Sequence, residues 1–203
     1  MTASALVLVS PAAGADRAHA ERTSGVELAL RAGWAIPEGQ VERDVSMSRL
    51  FIGLAPIELG VGFRLHPRWV AGVYAHYGFA VANECEGDCS GKNRRLGLQV
   101  HHHFTPGERV DHWLGIAAGY EWLDVDVGGA QLSYRGFEWV SLIFGEEFPL
   151  GRRAGLGPVF SLSLGQYTHQ DLSIAGLPDQ RGAIAERMVH VWVSFGVRAS
   201  YSP

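Results

Sequence analysis

Residues Ile57 to Leu65 read IELGVGFRL. Every odd position is a large apolar residue: Ile57, Leu59, Val61, Phe63 and Leu65. Every even position is a glycine or a charge: Glu58, Gly60, Gly62 and Arg64. A period of two places the two sets on opposite faces of a β-strand. The same alternation recurs on both sides of this stretch. Val26, Leu28, Leu30, Trp34 and Ile36 alternate with Glu27, Ala29, Arg31 and Gly33. Leu96, Leu98, Val100 and Phe104 alternate with Arg95, Gly97, Gln99, His101 and His103. Leu114 to Trp122, Leu156 to Gly165 and Val189 to Tyr201 repeat it. Trp69 to Val81 and Phe137 to Phe148 fit less cleanly. In the second, Val140, Leu142, Phe144 and Phe148 form the apolar face, Ser141, Gly145 and Glu147 lie opposite, and Glu146 falls among the apolar set. The pattern predicts about eight strands and no competing helix.

The connections are predicted to alternate in length. His66-Pro67-Arg68, Thr105 to Asp111 and Pro149 to Arg153 are short, whereas Pro37 to Ser48, Asn83 to Asn93, Gly128 to Ser133 and Thr168 to Glu186 are longer and polar. This is the connectivity of a membrane barrel with short turns inside and long loops outside. The faces agree with it. The large set is Leu, Val, Ile and aromatics, with Trp34, Trp69, Phe79, Trp122, Phe148 and Tyr201 suited to interface girdles. The small set is Gly, Ala and Ser with isolated charges, which suits a narrow lumen. A soluble lipocalin-like binder would line its cavity with the large set instead. On the inward face the acids Glu27, Glu58, Glu121 and Glu147 are matched by Arg31, Arg64, Arg95 and Arg198. Near-neutral pairing of this kind predicts a plugged lumen rather than an open pore, the alternative being a gated ion path through exchanging pairs.

Composition narrows the function classes. The chain has 203 residues, a formal charge of -4, only 19% charged residues and 26 glycines. No basic field is available for nucleic acid, and there is no P-loop and no zinc-type cysteine spacing. Residues 1–20 read as a signal peptide: an apolar run from Ala5 to Val9 precedes the small-x-small sites Ala13-Gly14-Ala15 and Ala18-His19-Ala20, although no Lys or Arg comes before the run. Cys85 and Cys89, the only cysteines, fall in an expected outside loop, where export favours a disulfide. His101 and His103 share the inward face, with His66, His76 and His190 also assigned there. A metal could bridge the first two, but no carboxylate or thiol neighbour can be assigned, so they read as polar interior residues. No cofactor is expected. A lipid-modifying enzyme would need Ser, His and an acid on the outer face, where only His102 and Glu146 stand out.

The phrases PIELGVGFRLHPRW (56–69), LGIAAGYEW (114–122) and GPVFSLSLGQY (157–167) resemble the small outer-membrane β-barrel proteins of Gram-negative bacteria, of the OmpA-transmembrane-domain and OmpX type, as found in myxobacteria. The resemblance covers residues 25–203. It implies an all-β, eight-stranded antiparallel up-and-down barrel in the outer membrane. It also implies insertion by the barrel-assembly machinery, and lipid and lipopolysaccharide around the wall. Such chains often finish on an aromatic; this one finishes Tyr201-Ser202-Pro203. The function expected is structural or surface interaction through the loops, with an unidentified extracellular partner. The alternative is an OmpW-like barrel that passes a small solute or apolar molecule, with Pro56 and Pro158 marking breaks in the strand ladder.

Overall fold

A computed structural model describes residues 25–43, 45–82, 89–127 and 130–203. Eight long strands carry the fold: β1 (Gly25–Glu42), β3 (Phe51–His66), β4 (Trp69–Ala82), β5 (Cys89–His103), β6 (Asp111–Val127), β7 (Ala130–Leu150), β8 (Ala154–Ile174) and β10 (Val189–Tyr201). Two short strands, β2 (Val45–Ser46) and β9 (Gln180–Ala183), and the single-turn helix α1 (Met47–Leu50) decorate one end. Each long strand pairs antiparallel with the next, and β10 pairs with both β8 and β1, so the sheet closes on itself. Among the described residues no helix is long and apolar enough to cross a membrane; the strands are the crossing elements.

The stagger of the ring follows from its pairs. Ala29 faces Gly60, then Tyr74, Gly97, Gly119, Glu138, Gly165 and His190 in turn, and the path returns to β1 at Gly39, ten residues from where it began. Eight strands staggered in this way tilt by roughly 35–45°. Backbones then crowd inside. A Cβ on Gly33 would lie 2.1 Å from the Phe195 carbonyl oxygen, so the Gly33–Gly196 pair at the β1–β10 seam must lack side chains. The turn between β7 and β8 likewise needs Gly151, whose φ is +74°.

Outward positions form an apolar belt. Leu59, Leu98, Ile116, Phe144 and Phe195 are each about half exposed or more, at 60%, 67%, 55%, 49% and 53%. A belt of this size around the whole wall belongs in hydrocarbon, not water. The belt does not run the full height of the strands. Towards the end that carries α1 and β9, the outward residues become Lys92, Arg94, Asp124, Asp126, Ser133, Arg135 and Asp171, while Leu123, Val125, Tyr134 and Tyr167 turn inward and are buried. There they join Val41, Met47, Phe51, Leu54, Ile184 and Trp192 in one apolar core inside the barrel. The strands keep their period of two but exchange the polarity of their faces.

That exchange corrects the long-loop expectation. β1 continues to Glu42, β5 starts at Cys89, β8 continues to Ile174, and β6 and β7 are separated only by residues 128 and 129. Much of what reads as polar loop is strand whose outer face meets water. His66 is also corrected. A register shift between Arg64 and His66 leaves His66 exposed at the turn, where its Nδ1 accepts from the Arg68 backbone N–H at 3.3 Å. Cys85 and residues 1–24 lie outside the described residues. We expect the purified chain to fold only in detergent or lipid and to show heat-modifiable gel migration; a soluble, lipid-free monomer with native β signal would contradict the belt.

Candidate functional site: the lumen

Inward side chains stack in layers from the short-turn end to the decorated end. Nearest the short turns, the Glu27 carboxylate receives Arg64 on one oxygen and Arg198 on the other, the latter at 2.5 Å. Arg64 also donates to the Pro67 carbonyl at 2.7 Å, which fastens the β3–β4 turn to the interior. Arg198 donates to Glu147 at 2.8 Å, Ser200 donates to the same carboxylate oxygen at 2.7 Å, and the Arg198 guanidinium lies over the Trp113 ring, 5.0 Å from its centroid.

In the middle layer Arg31 bonds Glu58 at 3.0 Å and Gln99 at 2.6 Å. Arg95 bonds Glu138 at 2.9 Å, and the Tyr74 hydroxyl donates to Glu138 as well. Glu121 forms the next layer and is 1% exposed. It accepts from Asn93 at 2.5 Å, Tyr167 at 2.9 Å and Trp192 at 3.0 Å, pairs with His190 at 2.9 Å, and faces Arg95 at 3.5 Å. The apolar core closes over it. Between the arginine layers a cavity of about 50 Å³ remains, bordered by Arg31, Glu58, His76, Arg95 and Glu138. That is room for very few waters. Among the described residues, Arg31 Nε, His76 Nε2 and Arg95 Nη2 find no hydrogen-bond partner.

All eight charged residues named from the sequence are therefore on the inner face, joined in three groups: Glu27–Arg64–Arg198–Glu147, Arg31–Glu58, and Arg95–Glu121. Glu138, Tyr74, Asn93 and Trp192 complete the Arg95–Glu121 group; the strand pattern puts Tyr74 and Trp192 on the inward face, whereas Glu138 and Asn93 do not follow from it. Glu138 was hidden by a β-bulge. The β7 register shifts between Glu138 and Val140, so inward positions are even before it (Tyr134, Gly136, Glu138) and odd after it (Ser141, Ile143, Glu147). The signal in the sequence is the consecutive apolar pair Trp139-Val140, which one unbroken alternation cannot hold.

The histidines separate. His103 is fully buried and bonds Asp111 at 2.7 Å. His101 packs on Trp113 with ring centroids 4.8 Å apart. His102 points outward between Trp69 and Phe104. Among the described residues no group of three or more His, Cys, Asp or Glu is placed to hold a metal. Glu146 lies on the outer face and meets His112 across the β6–β7 pair at 3.4 Å.

No protein-family model and no curated protein matches the chain. Solved structures do. Neisserial surface protein A aligns with a TM-score of 0.55 at 13% identity, covering 87% of this chain and 98% of that one. A major outer membrane protein from Thermus thermophilus gives 0.54 at 13% identity, with 87% and 99% covered. The outer membrane protein OprG from Pseudomonas aeruginosa gives 0.53 at 11% identity, with 89% and 98% covered. At these identities the likeness is one of fold: this chain has the fold of the small eight-stranded outer-membrane barrels.

Arg64→Ala should destabilise the barrel far more than Asp179→Ala. Losing Arg64 leaves a buried carboxylate short of a partner, at a cost of about 3–5 kcal/mol. Asp179 is exposed and meets Arg181 at 3.4 Å, a pair whose strength water screens to little. Urea unfolding in lipid vesicles measures both; equal stability would mean that the lumen charges are hydrated and act singly.

Proposed function

We propose that this protein is a closed, non-enzymatic outer-membrane barrel that does not conduct and that works through its outward surfaces. One observation carries the reading: the lumen is closed above and below its small central cavity, by ion-paired layers on one side and by an apolar core on the other. A hydrated ion would have to break several buried pairs and then cross a dry core, and nothing in the wall compensates that cost. What stays available is the belt, which meets lipid and lipopolysaccharide, and the collar of protruding strands, which faces the medium and an unidentified extracellular partner. The short-turn end then lies in the periplasm. Insertion by the barrel-assembly machinery is part of the same proposal.

A second reading, sideways passage of a small apolar molecule, is favoured by one feature. The β1–β3 pairing lapses between Ala32–Ile57 and Ala35–Leu54, where Pro56 brings no N–H, and Gly33 and Pro56 both border the lumen cavity. The two readings part in planar bilayers. The purified protein should show no steady single-channel conductance, and a stable open level would overturn the closed barrel in favour of transport. In exported protein, Cys85 and Cys89 should resist maleimide until reduced; labelling of both without reductant would exclude the disulfide. Breaking that bond should disturb little else, because it closes a very short loop.

A further inference from the structure

The outer wall carries a second feature that a closed barrel does not require. Near the short-turn end a shallow, open groove of about 850 Å³ crosses the lipid-facing surface of β6, β7, β8 and β10. Phe144, Phe160, Phe195 and Val197 border it, and Gly145 and Gly196 line it with bare backbone. Its position has a cause in the ladder. The β7–β8 pairing lapses between Gly145–Val159 and Phe148–Leu156, where Pro158 stands opposite Glu146 with no N–H to give. Proline and two glycines, Gly145 and Gly196, which flank Val159 on either side, leave the wall thin there.

One end of the groove is polar: His112 and Glu146 both line it. They are paired at 3.4 Å with side chains 57% and 44% exposed. On β7 the belt continues past Glu146, because Phe148 and Leu150 carry the outward face further towards the turn, at 43% and 57% exposed, whereas His112 is the last outward residue of β6 before its turn. The pair engages one ring nitrogen and one carboxylate oxygen; the remaining polar atoms of a half-exposed acid and imidazole at the rim of an apolar belt need polar partners that hydrocarbon does not supply. The wall faces lipid, so the partner reaching them is a lipid.

We infer that the groove is a binding site for one phospholipid of the periplasmic leaflet whose headgroup carries a primary ammonium beside its phosphate, as in phosphatidylethanolamine. One acyl chain lies in the groove along the phenylalanines. The ammonium meets the Glu146 carboxylate, and the phosphate accepts from the His112 ring N–H. A donor and an anion side by side on the wall complement a zwitterion better than a headgroup bearing only negative charge. The leaflet follows from the short-turn end, which places the site away from lipopolysaccharide.

The experiment uses the full chain, folded in detergent, stripped of lipid and titrated with acyl-matched phosphatidylethanolamine or phosphatidylglycerol, with bound lipid counted by native mass spectrometry. We expect one ethanolamine lipid retained per barrel. Glu146→Gln should weaken it roughly tenfold, the scale of one charge-assisted hydrogen bond. Leu114→Trp, which fills the groove from β6, should abolish retention while heat-modifiable migration stays normal. Val197→Trp serves if that variant does not fold. Wild-type retention by a folded groove-filled variant would overturn the site. Equal retention of the glycerol lipid, indifferent to Glu146→Gln, would overturn the headgroup assignment. Neither outcome bears on conductance, so the site and the closed-barrel reading fail separately.

Discussion

A strand in hydrocarbon has no water for its edge N–H and C=O groups, so both edges must be paired. Here that requirement is met at the β1–β10 seam, where Leu28 to Gly39 pair with Tyr201 to His190. Closure with eight strands sets a small bore, and the small bore sets the rest. Glycines must stand where backbones approach, as at Gly33 and Gly196. Long side chains that enter from opposite walls meet. Charged ones among them cannot stay hydrated and have to pair, as Arg198 does with Glu27 and Glu147. The ion-pair layers follow from the ring and do not assemble it; buried pairs are a weak source of net stability, though their loss is costly.

The second constraint is the change of solvent along each strand. Within the belt, apolar residues face out and polar ones in. Above it the order reverses, and Asp124 looks out where Leu123 and Val125 look in. The same strand serves first as membrane wall and then as the wall of a water-soluble barrel with its own core. Glu121 sits at the changeover. Its carboxylate collects Asn93, Tyr167, Trp192 and His190 just beneath the apolar residues, so the polar and apolar fillings join without an orphaned charge.

This also shows which parts of the structure could be read in advance. Strand existence, the outward face and the charged inner set were legible because stretches such as Ile57–Leu65 hold one polarity throughout. The collar was not legible, because alternation with reversed polarity reads as polar loop when burial is taken to mean hydrocarbon. Glu138 was missed, because a bulge changes parity and leaves only the consecutive apolar pair Trp139-Val140 to mark it. His66 was lost to a shift at the turn, and the His112–Glu146 pair needed the β6–β7 register, which one strand alone cannot supply.

The reversed upper section has a mechanical consequence. A tilted strand needs about 9–11 residues to cross the hydrocarbon, and β7 and β8 have 21 each. On β7 the outward apolar residues run from Phe137 to Leu150, so Ala130 to Gly136 stand beyond them; at about 3.3 Å per residue and the barrel's tilt they lift the rim roughly 15–20 Å above the apolar slab, clear of the headgroups. Because Trp192, Phe51 and Tyr134 pack its inside, that extension is a stiff pedestal and not a set of tethers. Whatever the tip touches is met at a set height and orientation. The segments at the tip are then free to vary in sequence without altering the reach.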